Sequence, residues 1–255
     1  MNITQPILSV AQVSKSFGGT VAVRDVSFDI AYGERCLIIG TNGAGKSTLF
    51  NLICGDLPLS SGKIEIFGHD VSKMSVRNRS KLGLRRTYQG TALFNKLTIR
   101  QNFYLSLLGA MPMSKQMNLF TNYKDTAAYT EQIEQICKTV QLSKKIDEMV
   151  ANLSHGERRQ LEVGLALICH PQLLLLDEPS SGLSANERLI IQDLLMGLDS
   201  DITLVLVEHN MELAFAVATR VIVMMNGEIV DIGTPLEIQN NPYVQEIYLG
   251  GKKYA

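Results

Sequence analysis

Gly40-Thr41-Asn42-Gly43-Ala44-Gly45-Lys46-Ser47 decides the reading of this chain. It fits G-x-x-x-x-G-K-[ST], and its context is the one that pattern requires. The apolar run ERCLIIG, 34–40, reads as a strand ending in glycine, and a helix is predicted from Lys46 to Cys54. Between strand and helix, the glycines let backbone N–H groups turn inward around phosphate oxygens. The helix N-terminus adds partial positive charge. Lys46 reaches the β- and γ-phosphates as a point charge, and the Ser47 hydroxyl takes a place on Mg²⁺. With Thr48, the residues Gly40, Thr41, Asn42, Gly43, Ala44, Gly45, Lys46 and Ser47 form a candidate nucleoside-triphosphate site. A glycine-rich turn with an incidental lysine is the bland alternative. The order strand, loop, helix speaks against it.

A second run, QLLLLDE at 172–178, makes a buried strand whose end presents Asp177 and Glu178. Asp177 fits the aspartate that holds the Mg²⁺ shell in phosphate-loop enzymes. Glu178 fits a residue that orients or deprotonates the attacking water. Seen alone, an acidic pair at a strand end is common on a surface. Next to a phosphate loop it points to hydrolysis.

Outward from these two runs the chain alternates strand and helix. Strand patterns cover 7–17 and 20–31, a hairpin-like pair split by Gly18-Gly19, and then 62–68 and 84–89. Helical spacing takes over at 98–108 and 126–142, with an irregular, Met-rich insert at 109–125. Strands return at 202–207, 220–224 and 227–232, with helices at 185–197 and 210–218 between them and a short helical tail at 235–249. Continuous apolar strands alternating with helices predict an α/β fold with a mainly parallel sheet, preceded by an antiparallel β part. The expected division is a core of about 1–88 and 165–236, an inserted helical subdomain of about 89–164, and a tail of 237–255.

Composition narrows the function. With 24 basic and 25 acidic residues the formal net charge is −1, and no basic run stands out, which argues against a nucleic-acid partner. The N-terminus lacks the pattern of a signal peptide. No apolar run approaches the ~18 residues that span a bilayer. Any membrane contact is expected through partner chains. Cys36, Cys54, Cys137 and Cys169 lie in apolar stretches without metal-ligand spacing and read as buried, reduced thiols.

One further segment carries a family likeness. Leu153-Ser154-His155-Gly156-Glu157 opens an amphipathic helix just upstream of the acidic strand. Locally, Ser154-x-x-Glu157 is a capping box. In its place along the chain it resembles the L-S-G-G-Q signature of the ABC ATPase family, with His155 for a glycine and Glu157 for the glutamine. The resemblance covers nearly the whole chain. It implies that Ser154, His155, Gly156 and Glu157 close over a nucleotide held by a second ATPase subunit, in a homo- or heterodimer. It implies that Phe17 stacks on adenine, although a core phenylalanine is the plain alternative. It implies that Gln89 senses the γ-phosphate and shares the metal with Ser47 and Asp177, and that His209, after ITLVLVE, is the switch histidine. Ser181-Gly182-Leu183-Ser184 stands at the D-loop position, with Ser184 where the family often has Asp.

The same resemblance implies an ATP-hydrolysing subunit with ATP and Mg²⁺. It would sit peripherally on the cytoplasmic side of the inner membrane, docked on transmembrane permease subunits. The ending GTPLEIQNNPYVQEIYLG, 233–250, RRTYQGTALFNKLTIRQN and LSHGERRQLEVGLAL resemble ATPases of branched-chain amino acid importers and their urea and amide relatives. ATPases of lipopolysaccharide export share the GTP-x-E-I and YLG ending, so an exporter is the second reading. A non-transport ABC ATPase is a third; it would bring a second cassette or a long coiled coil. The transported solute is not legible, because membrane and binding subunits select it.

Overall fold

The computed structural model describes residues 5–87, 93–110 and 126–249. Two compact units emerge. The first takes in the described residues of Met1–Arg86, Gln172–Glu178 and Asp199–Ala255, and the second those of Thr87–Pro171 and Pro179–Leu198.

The first unit holds both sheets. β1 (Leu8–Phe17) and β2 (Thr20–Ile30) pair antiparallel, and β4 (Ser61–Ile66) and β5 (His69–Asp70) complete a four-stranded sheet in the order β2-β1-β4-β5. The six-stranded sheet runs β10-β9-β3-β8-β7-β6. It is built from β3 (Arg35–Gly40), β6 (Leu84–Arg86), β7 (Leu173–Asp177), β8 (Thr203–Val207), β9 (Arg220–Met225) and β10 (Glu228–Gly233). β9, β3, β8, β7 and β6 are parallel, and only β10 joins antiparallel. Every residue of β7 and of β8 is buried. That is why these strands read as continuous apolar runs: a parallel strand covered on both faces has no solvent side to alternate toward.

α1 (Lys46–Cys54) follows β3 and ends on Gly55, whose φ of 85° is left-handed. α2 (Val76–Lys81) sends Arg79 back to it. Arg79 is almost fully buried. Its Nη1 donates to the carbonyls of Leu52 and Ile53, both at 2.7 Å, and its Nε to Met74 O at 3.1 Å. A guanidinium therefore satisfies the carbonyls at the C-terminus of α1, where a cation is also favoured by the helix dipole.

The second unit is helical: α3 (Ile99–Ala110), α4 (Thr126–Thr139), α5 (His155–Leu167) and α6 (Ala185–Met196). The helical expectation over 126–142 overshoots α4, because Gln141 adopts φ 59° and turns the chain, with Leu142 N–H donating to Cys137 O. Single 3₁₀ turns follow at Ser143–Lys145 and Val150–Asn152. The insert expected at 109–125 lies, from residue 111 on, outside the described residues.

α7 (Met211–Val217), α8 (Pro235–Asn240) and α9 (Pro242–Leu249) return to the first unit. The single tail helix suggested by sequence is two, because Pro242 has no N–H to continue α8 and starts α9 instead. All four cysteines are free; Cys36, Cys54 and Cys137 are buried, whereas Cys169 is only half-buried, short of the full burial expected.

Candidate nucleotide site

The loop between β3 and α1 turns on glycines at positive φ. Gly45 takes φ 98°, and a Cβ there would fall 2.4 Å from Ala22 O, so only glycine fits. The cap residue Gly45 offers α1 no side-chain cap, and the first turn of the helix carries no acid, as suits a helix start that receives an anion. The Lys46 side chain is buried and folds back across the loop. Its Nζ donates to Gly40 O at 2.7 Å and to Thr41 O at 3.1 Å. Burial lowers the Lys46 pKa, against the pull of Glu178 and Asp177, which favour its charged form. Ser47 is exposed and Thr48 half-buried at the helix start, and Asn42 is exposed on the loop.

The acidic pair ends β7. Asp177 is almost fully buried. Burial raises its pKa, and the neighbouring Arg86 guanidinium opposes that rise. Arg86 Nη2 donates to Asp177 Oδ2 at 3.0 Å. Glu178 departs from the strand at φ 49°, a left-handed conformation that costs free energy for any residue with a Cβ. The turn is held by its own N–H, which donates to Val207 O at 2.8 Å. It carries the carboxylate to His209, whose Nε2 lies 2.9 Å from Glu178 Oε1. His209 follows β8 and is fixed from both sides. Its N–H donates to Glu208 Oε2 at 2.8 Å, and Asn210 caps α7 by accepting from Leu213 N–H at 2.9 Å.

Among the sequence candidates, the first unit thus gathers Lys46, Asp177, Glu178 and His209 at the ends of β3, β7 and β8. Phe17 closes β1 and is 48% exposed, and Lys15 Nζ stands 5.0 Å from its ring centroid. Gln89 lies outside the described residues.

The signature segment is described within the second unit. The capping box read from sequence is present: Ser154 Oγ accepts from Glu157 N–H at 3.2 Å, and Glu157 Oε2 accepts from Ser154 N–H at 2.9 Å. Burial would raise the Glu157 carboxyl, but Lys145 at 2.7 Å and the Ser154 N–H outweigh it and hold it below the usual range. His155 Nε2 lies 3.3 Å from Ser181 O, so one of the two residues that depart from the signature pattern touches the segment 181–184. Ser184, which departs from the family's usual Asp, builds a second capping box with Glu187 at the start of α6.

Sequence reasoning missed two residues here. Glu187 Oε1 accepts from Gly156 N–H at 3.1 Å, which ties α6 to the first turn of α5. Arg86 reaches the acidic strand. Only a weak signal for it is present in the sequence: a basic residue within an expected strand, which needs a partner if it is buried.

Comparison with known proteins agrees with this geometry. A family model described as ABC transporter matches residues 23–181. A second, described as branched-chain amino acid ATP-binding cassette transporter, matches 232–254. The chain is 31% identical to the high-affinity branched-chain amino acid transport ATP-binding protein LivG of Salmonella typhimurium, over 97% of this chain and 99% of that protein. It is 29% identical to the corresponding protein BraF of Pseudomonas aeruginosa over the same shares. Among solved structures, an ATP-binding cassette of an ABC transporter in its ADP conformation superposes with a TM-score of 0.82 at 28% identity, covering 97% of this chain and all of that one. A glycine-rich loop opening a helix, an acidic strand end and full-length likeness to such cassettes lead to one conclusion: the chain belongs to the ABC transporter family, as one of its ATP-binding, ATP-hydrolysing cassettes.

Proposed function

We propose that this cassette powers import of branched-chain amino acids or related small solutes. It would work as a single ABC ATPase domain paired with a second cassette, identical or different. The observation that carries the hydrolytic half is the Glu178–His209 contact at the strand end beside the phosphate loop. The importer half is supported by the full-length relatives and by the tail match over 232–254. The lipopolysaccharide-export alternative is not favoured by these relatives.

ATP is the substrate. Its phosphates lie against the loop Gly40–Ser47, with Lys46 exchanging its carbonyl partners for β- and γ-oxygens and Phe17 stacking on the base. Ser47 and Asp177 offer the hard oxygens that Mg²⁺ prefers, and Gln89 would add a third, so the donors fit that ion. When bound, Mg²⁺ would neutralise charge on the β- and γ-phosphates. Glu178 accepts a proton from the attacking water. His209 holds the Glu178 carboxylate and is placed to turn toward the γ-phosphate. Ser154, His155, Gly156 and Glu157 approach the nucleotide of the paired cassette, so closure depends on the triphosphate.

Among the described residues no helix is long and apolar enough to cross a membrane. The proposed seat is peripheral, on the cytoplasmic side of the inner membrane, through permease subunits. Affinity capture from detergent-solubilised membranes tests this reading. Permease subunits should copurify, and deletion should abolish uptake of a labelled branched-chain amino acid. Copurification of ribosomes or DNA, with uptake intact, would overturn it.

A further inference from the structure

Arg86 grips the two elements that carry the proposed metal ligands. Its side chain is 7% exposed, and it reaches polar partners on separate segments of the first unit. Nη2 donates to Asp177 Oδ2 at 3.0 Å, at the end of β7. Nη1 donates to Asn51 Oδ1 at 2.6 Å and to Asp56 Oδ2 at 3.0 Å, on α1 and just past its end. The guanidinium carbon lies 5.7 Å from the centroid of the Phe50 ring, also on α1.

Asn51 is four residues beyond Ser47, so the two share one face of α1, one turn apart. A continuous path therefore runs from the Ser47 hydroxyl down α1 to Asn51, across the guanidinium, and up to the Asp177 carboxylate. A planar guanidinium fixes partners in two directions at once, which an ammonium does not. An ion pair serving only to neutralise a buried carboxylate would need the Asp177 contact but not the hold on Asn51.

We propose that Arg86 is a positioning residue for the metal: it sets the separation and orientation of Asp177 relative to the Ser47 end of α1. It touches neither nucleotide nor metal. It acts by committing one Asp177 oxygen and anchoring the other ligand's helix. The inference rests on the nucleotide reading above and concerns a step within it, the affinity of the ATP-loaded chain for a divalent ion.

The experiment separates metal from nucleotide. ATP affinity of the full chain is measured in EDTA by calorimetry. Mn²⁺ affinity of the ATP-loaded chain is then read from the free-ion electron paramagnetic resonance signal. Arg86→Lys keeps the charge and loses the fork. It should leave metal-free ATP affinity within about twofold of wild type and weaken Mn²⁺ binding about 10- to 100-fold, the loss typical of a group that orients a metal ligand. Asn51→Ala, which keeps the Arg86–Asp177 pair and a folded core, should weaken Mn²⁺ in the same direction by a smaller factor. Wild-type Mn²⁺ affinity in both variants overturns the proposal, and so does a parallel fall of metal-free ATP affinity. A wild-type chain that binds no ATP would remove the nucleotide reading, and this inference with it. ATP binding in EDTA distinguishes the two failures.

Discussion

His209 and Glu178 meet at 2.9 Å, Nε2 to Oε1, across the ends of the adjacent parallel strands β8 and β7. A left-handed residue makes the meeting feasible: with ordinary strand dihedrals at Glu178 the chain would continue along β7. The cost of that conformation, of order 1–3 kcal/mol, is offset by the surrounding sheet and by the Glu178 N–H bond to Val207 O.

Lys46→Ala should lose ATP hydrolysis and most nucleotide affinity. Without nucleotide the ammonium holds the Gly40 and Thr41 carbonyls, and on the proposed reading it exchanges them for phosphate oxygens, so its removal loosens the empty loop and takes a charge from the loaded one. Calorimetric titration with ATP and Mg²⁺ checks this. Wild-type affinity in the variant would sink the phosphate-cradle assignment.

Arg79→Ala should destabilise the first unit by about 2–5 kcal/mol, because it opens a cavity and strips donors from buried carbonyls at the end of α1. Urea denaturation measures the loss. A change under about 0.5 kcal/mol, the range of an ordinary surface substitution, would mean that the Leu52 and Ile53 carbonyls find other partners.

Gly156→Ala should be destabilising by about 1–3 kcal/mol, since a Cβ there would sit 2.6 Å from Glu187 Oε1. The clash is with one side chain, that of Glu187. Adding Glu187→Ala should therefore return part of the stability, and a double-mutant cycle should show coupling of about 0.5–3 kcal/mol. Strict additivity in thermal melts would contradict the contact.

Ser154→Arg distinguishes a cap from a phosphate-facing signature. As a cap alone, its loss costs about 1 kcal/mol of helix stability and nothing else. As a signature, it should abolish ATP-dependent pairing while the chain's own loop still binds ATP. Size exclusion with the pairing cassette present reads the difference; full ATP-dependent pairing in the variant leaves only the cap.

The phosphate loop was legible because eight consecutive residues carry it and their glycines specify local backbone. The acidic pair was legible because the four leucines of β7 run directly up to it. The parallel sheet followed from the same pattern in β3 and β8. Contacts between distant segments were not legible. Nothing in Glu178 or His209, 31 residues apart, announces that β7 and β8 are neighbours. Ser184-x-x-Glu187 has capping-box spacing, which specifies one carboxylate oxygen; the other oxygen's bond to Gly156 arises only when α5 and α6 pack. Arg86 stands in a three-residue strand too short for periodicity to report its surroundings. Pro242 was readable as a break, yet the apolar spacing across it suggested one helix.

The most direct test of the account is hydrolysis by Glu178→Gln. An amide preserves the shape and cannot take the proton from water. The variant should bind ATP with Mg²⁺ as wild type does, in calorimetry, while single-turnover hydrolysis falls by about 10²-fold or more. Hydrolysis at the wild-type rate, with binding unchanged, would contradict the claim that Glu178 is the base of this cassette.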